Sequence, residues 1–247
     1  MTLRPVLCYK GLLKSFLFWM NMDLFFQKLS IILVPGLLAI TVHEVAHGWV
    51  AERLGDPTAR LLGRLTLNPF KHVDPIGTLL LFFIGFGWAR PVPVNPGNLK
   101  DPRRNMMWVA LGGPTANLGL ALLSALVLRG LGPLSGAAAH GGLALVVDPL
   151  VLMAAFSLYV NVILMVINLM PIPPLDGGRV LIGLLPEKPA AAVARLEPFG
   201  FFAVILLFFF SPLSERVLLP VVVSVTSVLA GPQWFLVQKV FVMLFRS

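Results

Sequence analysis

The chain has a single cysteine, Cys8, among its 247 residues. One thiol cannot close an intramolecular disulfide, and it excludes a cysteine-rich metal site. Charge is scarce too. Only 12% of residues are Asp, Glu, Lys or Arg, and 57% are hydrophobic. A soluble domain needs many more charges to cover its surface. No small-residue cleavage site follows the N-terminal apolar stretch, so no removable signal peptide is expected. Repeats and low-complexity tracts are also missing. The charge present is mostly positive, with a net of +8. In a soluble protein that would suggest nucleic acid. Here no basic face is interleaved with aromatics, and no nucleic-acid-binding motif occurs. Lys and Arg instead mark loops that meet anionic lipid head groups.

What remains is long apolar runs broken by short polar segments. The expected fold is an all-α polytopic membrane protein of about five to six transmembrane helices. Residues 1–28 form an interfacial or weakly spanning segment, because the apolar run 16–26 carries Asn21 and Asp23. Residues 29–182 form the membrane core, and residues 183–247 the C-terminal helices. The run 31–54 predicts a helix of about 24 residues, roughly 36 Å, long enough to span. Residues 105–128 and 150–170 predict two more spans. Residues 199–210 and 217–229 predict a closing helix pair, and 234–245, with Lys239, an interfacial helix. The run 76–88 is too short to span comfortably and reads as re-entrant or interfacial.

Loop charges orient these spans. Residues 55–75 hold Arg60, Arg64 and Lys71, and residues 89–104 hold Arg90, Lys100, Arg103 and Arg104. Arg179, Lys188 and Arg195 follow the third span, whereas residues 130–149 hold no Lys or Arg. The positive-inside tendency makes the first three segments cytoplasmic. The run 76–88 must then enter and leave on one side.

Inside the first span stands "HEVAH", His43 to His47. Two imidazoles at i and i+4 share a helix face and suit Zn²⁺. The glutamate between them, Glu44, can serve as general base toward a water at the metal. Paired core histidines are the plainer reading. Ionisable groups at the bilayer centre, however, cost a few kcal/mol each and need a purpose. A catalytic zinc site wants a third protein ligand. His72 and His140 lie in loops. Asp176, in "NLMPIPPLDGGRVL", follows a span on a Pro-broken backbone. It reads as that ligand, with a helix cap as the alternative. His43 lies about ten residues, or roughly 15 Å, inside the cytoplasmic end of its helix. The third span brings Asp176 to the same end.

The order of "HEVAHGWVAERLGD", "NPFKHVDPIGT", "ALGGPTANLGLAL" and "NLMPIPPLDGGRVL" resembles the site-2 protease family of intramembrane zinc metallopeptidases. These motifs cover more than half of the chain. The resemblance implies one Zn²⁺ per chain held by His43, His47 and Asp176, with Glu44 as catalytic acid/base. It also implies that Gly113, Pro114 and Asn117 form the family's GPxxN element. It implies transmembrane protein substrates, a bilayer setting, and the cell membrane of a prokaryote. Neither the inserted PDZ domains nor the C-terminal nucleotide-sensing domain of some relatives is expected here. Asn117 is either an oxyanion or substrate donor, or an interhelical hydrogen-bonding group. Residues 90–94, "RPVPV", are either a plain loop or a membrane-associated β strand. In the second case Arg90, Val92 and Val94 would hold an extended substrate. A metal transporter would not need Glu44, and no repeated half-site supports one.

Overall fold

The structure is a computed structural model. It describes the backbone of residues 4–77, 79, 87–135 and 142–245, with side chains except at 4–25, 201, 208–210, 244 and 245. Helix α1 (Arg4–Arg53) runs unbroken through the boundary expected at residue 28 and contains Pro35. A short α2 (Thr58–Leu61) follows. Then come α3 (Pro102–Leu131), α4 (Ala144–Asn168), α5 (Asp176–Leu184), α6 (Glu187–Ala194), α7 (Glu197–Phe210), α8 (Leu219–Ala230) and α9 (Trp234–Phe245).

Among the described residues, four helical stretches are long and apolar enough to cross a membrane: Phe26–Arg53, Pro102–Leu134, Ala144–Asn168 and Ser214–Met243. The pair α6 and α7, bent by 46°, makes a fifth if it counts as one broken span. The closing elements differ from expectation. The apolar runs 217–229 and 234–245 join into one stretch of 30 residues. Helix α8 ends at Gly231, whose φ is +56°, and the 3-10 turn Gly231–Gln233 leads from there into α9.

Helix α3 packs against α1, α4 and α5. The apolar core includes Ala121, Ala125 and Leu128 of α3, Val151, Ala155 and Leu158 of α4, and Val237 and Val240 of α9. Small side chains let these backbones approach closely, which drives helix association where lipid is as apolar as leucine. Most of the run 76–88 lies outside the described residues. Its ends nevertheless meet: Val73 forms an isolated antiparallel bridge with Ala89, and Arg90 N–H donates to His72 O at 2.8 Å. The chain therefore leaves and returns at one place. That return lets α3 rise beside α1, α4 come back, and Asp176 arrive at the His47 end of α1.

Candidate metal centre

Helix α1 presents His43 and His47 on one face, one turn apart. Their Nε2 atoms lie 3.0 Å apart. Asp176 Oδ2 lies 3.2 Å from His43 Nε2 and 3.3 Å from His47 Nε2. Asp176 is the first residue of α5, and the residue before it, Leu175, caps that helix without a side-chain bond. The helix-cap alternative therefore fails. Asp176 Oδ2 is buried and accepts no hydrogen bond.

The hydrogen atoms decide what such a cluster is. His47 Nδ1 lies 2.7 Å from Val109 O, a carbonyl that can only accept, so Nδ1 carries the proton. His43 Nδ1 lies 2.6 Å from Asn117 Oδ1. The Asn117 amide is oriented by its Nδ2, which donates to Ala39 O at 3.3 Å and to Asn161 Oδ1 at 2.8 Å. Asn161 Nδ2 in turn donates to Ser157 O at 2.9 Å. In its neutral form each ring, with its proton on Nδ1, turns a bare Nε2 lone pair toward a carboxylate oxygen. Three acceptors converge with no donor among them, an arrangement that a cation satisfies. Ligand atoms about 2.0–2.1 Å from a tetrahedral ion stand roughly 3.3 Å apart, close to the spacing found here. Two imidazoles and one carboxylate with room for water is also a catalytic zinc donor set. Gly113 keeps that room open. A Cβ there would lie 2.5 Å from His43 Nε2 and His47 Nε2.

Asn117 spends its amide on His43, Ala39 and Asn161, which are the interhelical hydrogen bonds of the second reading. Asn161 and the Val109 carbonyl were not singled out from the sequence. Asn161, fully buried in an apolar helix, carries the same signal that drew attention to Asn117. Val109 acts through its backbone and carries none.

Glu44 accepts a hydrogen bond from Val92 N–H at 2.8 Å on Oε2. Residues 90–94 form no ladder, and the isolated bridge at Ala89 is the only β pairing among the described residues. Of the two readings, the loop is the one found, and it is pinned. Two of its donors turn inward, Arg90 to His72 and Val92 to Glu44, while Pro91 and Pro93 have none to offer. His72 is buried, and its Nε2 lies 2.9 Å from Thr66 O, a loop-closing contact remote from the metal ligands. His140 lies outside the described residues.

Comparison with known proteins agrees with this chemistry. The family model "Peptidase family M50" matches residues 31–209. "Putative zinc metalloprotease YwhC" of Bacillus subtilis (strain 168) is 40% identical over 191 residues, covering 76% of this chain and 84% of that protein. "Putative zinc metalloprotease Rip2" of Mycolicibacterium smegmatis is 30% identical over 183 residues, covering 72% of this chain and 66% of that protein. Its namesake in Mycobacterium tuberculosis (strain H37Rv) is 31% identical over 187 residues, with the same coverage. No solved structure matches the chain. Both the match across most of the chain and the donor cluster require the same conclusion: the chain belongs to peptidase family M50, as a membrane-embedded zinc metalloprotease of the site-2 protease type.

Proposed function

We propose that this enzyme hydrolyses peptide bonds in or near the transmembrane segments of membrane-protein substrates. His43, His47 and Asp176 hold the zinc, and Glu44 moves the proton. The observation that carries this reading is depth. The two histidines lie within a spanning helix, Phe26–Arg53, with His43 about ten residues, or roughly 15 Å, from its end.

Zinc supplies a lowered pKa for water and polarisation of a carbonyl. The rest falls to the chain. Glu44 Oε1 accepts no hydrogen bond from the described residues, whereas Oε2 is held by Val92 N–H. Oε1 is then the oxygen that takes a proton from the attacking water and returns it to the leaving amine nitrogen. Asn117 and Val109 O keep both imidazoles in the tautomer that leaves Nε2 free. A substrate helix hides its carbonyls in its own hydrogen bonds and must unwind before attack, so helix-breaking residues favour cleavage. The cationic segments 55–75 and 89–104 flank the His47 end of α1. They support entry of water from the cytoplasmic face of the cell membrane.

The test uses a synthetic single-span peptide with a central Asn-Pro pair, incorporated in detergent micelles. Glu44→Gln is expected to keep about one zinc per chain. It is expected to lose about 10²–10⁴-fold in cleavage. Wild-type turnover in Glu44→Gln would remove Glu44 from the mechanism. Equal cleavage of a soluble peptide carrying the same Asn-Pro pair would remove the preference for transmembrane segments.

A further inference from the structure

Asp56 stands just past α1 and is fully buried. A buried carboxylate is costly unless its lone pairs are filled. Here they are. Oδ1 accepts from Thr58 N–H at 3.1 Å, from the Thr58 hydroxyl, and from Asn98 Nδ2 at 2.7 Å. Oδ2 accepts from Asn95 N–H at 2.7 Å. Burial opposes the charge, but the bonds from Thr58, Asn98 and Asn95 outweigh it and hold this carboxyl below its ordinary range. Two of these donors, Asn95 and Asn98, belong to the segment that also touches Glu44.

That segment is pinned along its length. Arg90 N–H bonds His72 O. Arg64 reaches across with one NH2 to Arg90 O at 2.9 Å and Pro91 O at 3.2 Å. Val92 N–H meets Glu44, and Asn95 N–H meets Asp56. Val92 also docks by its side chain: a Cβ on Gly48 would lie 2.8 Å from Val92 Cγ1. Glu44 and Gly48 are four residues apart on one face of α1. One residue of the segment thus covers one face of the zinc-binding helix, with its N–H on the carboxylate and its methyls on the glycine. Prolines on both sides of Val92 favour an extended backbone there and remove competing donors.

We propose that residues 90–98 are a strap that orients the Glu44 carboxylate through Val92 N–H, and that Asp56 is the positioning residue that anchors this strap. The proposal rests on the reading of Glu44 as proton carrier. An untethered glutamate samples several rotamers, and fixing one of its oxygens aims the other. Among the described residues no hydrogen bond joins Asp56 or the strap to His43, His47 or Asp176, so zinc content is expected to survive its loss.

The experiment compares Asp56→Asn, the milder Asn98→Ala at an exposed position, Val92→Pro, and the Asp56→Asn/Val92→Pro pair. All are full-length, zinc-loaded and in micelles with the single-span peptide above. Asp56→Asn and Val92→Pro are expected to lower kcat by about 10- to 100-fold, as misaimed catalytic groups do. KM should stay within about threefold and zinc content at about one per chain. Because both act through one contact, the double variant should be no slower than Val92→Pro alone. Hydrogen–deuterium exchange across residues 92–98 should quicken in Asp56→Asn and, less so, in Asn98→Ala. Wild-type exchange there, wild-type kcat in Asp56→Asn, or losses that multiply in the double variant would each overturn the strap. Glu44→Gln keeps the two readings apart. Retained turnover in Glu44→Gln removes the strap's purpose. Lost turnover there beside wild-type kcat in Asp56→Asn overturns the strap alone.

Discussion

His43 and His47 are held by different kinds of partner, and the difference predicts different sensitivities. His47 leans on the Val109 carbonyl at 2.7 Å, which no side-chain substitution removes. His43 leans on Asn117 at 2.6 Å, and Asn117 is kept in its orientation by Asn161. Groups that orient a metal ligand are typically worth about 10- to 100-fold in metal affinity. Asn117→Leu is therefore expected to weaken zinc binding by about that factor in chelator competition, and Asn161→Leu by less, since it acts one step further out. At saturating zinc the Asn117→Leu enzyme should regain most of its turnover. If turnover stayed about 100-fold down with the site full, Asn117 would be an oxyanion donor after all.

At the scale of elements, the start of α5 decides whether the third ligand arrives. The chain leaves α4 at Asn168 and folds back on itself before Asp176. A Cβ on Gly177 would lie 2.3 Å from both Leu169 O and Met170 O. These are backbone atoms, which cannot rotate away as a side chain can, so the turn itself would open. Gly177→Val is thus expected to leave the spanning helices folded, by unchanged far-UV circular dichroism, while zinc content falls well below one per chain. Full zinc content in that variant would mean that Asp176 reaches the metal without this turn. Helices α8 and α9 illustrate the opposite case. Pro232 would usually punctuate two helices, yet the Val228 and Leu229 carbonyls left open at the break accept from the Arg129 guanidinium. The apolar runs around it therefore form one span.

For the whole molecule, the ligand set requires that α1 end, and α5 begin, on the same side of the membrane. The His72–Val73 and Ala89–Arg90 contacts achieve this by bringing the chain back where it left. Cysteines placed at Lys100 and Gly142 in a Cys8→Ser variant are expected to label from opposite faces in sealed vesicles, because α3 crosses between them. Labelling of both from one face would mean that α3 does not cross, and would separate Asp176 from the histidines.

The sequence by itself determined the chemistry and much of the architecture. The His-Glu-x-x-His spacing carries its own geometry, because a helix places i and i+4 on one face whatever surrounds it. Long apolar runs can hardly be anything but spans. The acid that joins the donor cluster was also legible, since Asp176 is an uncommon acid beside a Pro-broken span. Only the tertiary structure decided how the catalytic groups are held. The partners of His47 and Glu44 are a carbonyl and an N–H, Val109 and Val92. Every residue has such groups, so no residue type marks them in advance. Residues 90–94 show why the local pattern could not decide. Alternating Val and Pro describe an extended backbone equally well in a strand or a pinned loop. What tells them apart is a pair of contacts across 48 and 39 positions of sequence, Val92 N–H to Glu44 and Asn95 N–H to Asp56, and no local pattern carries contacts of that range.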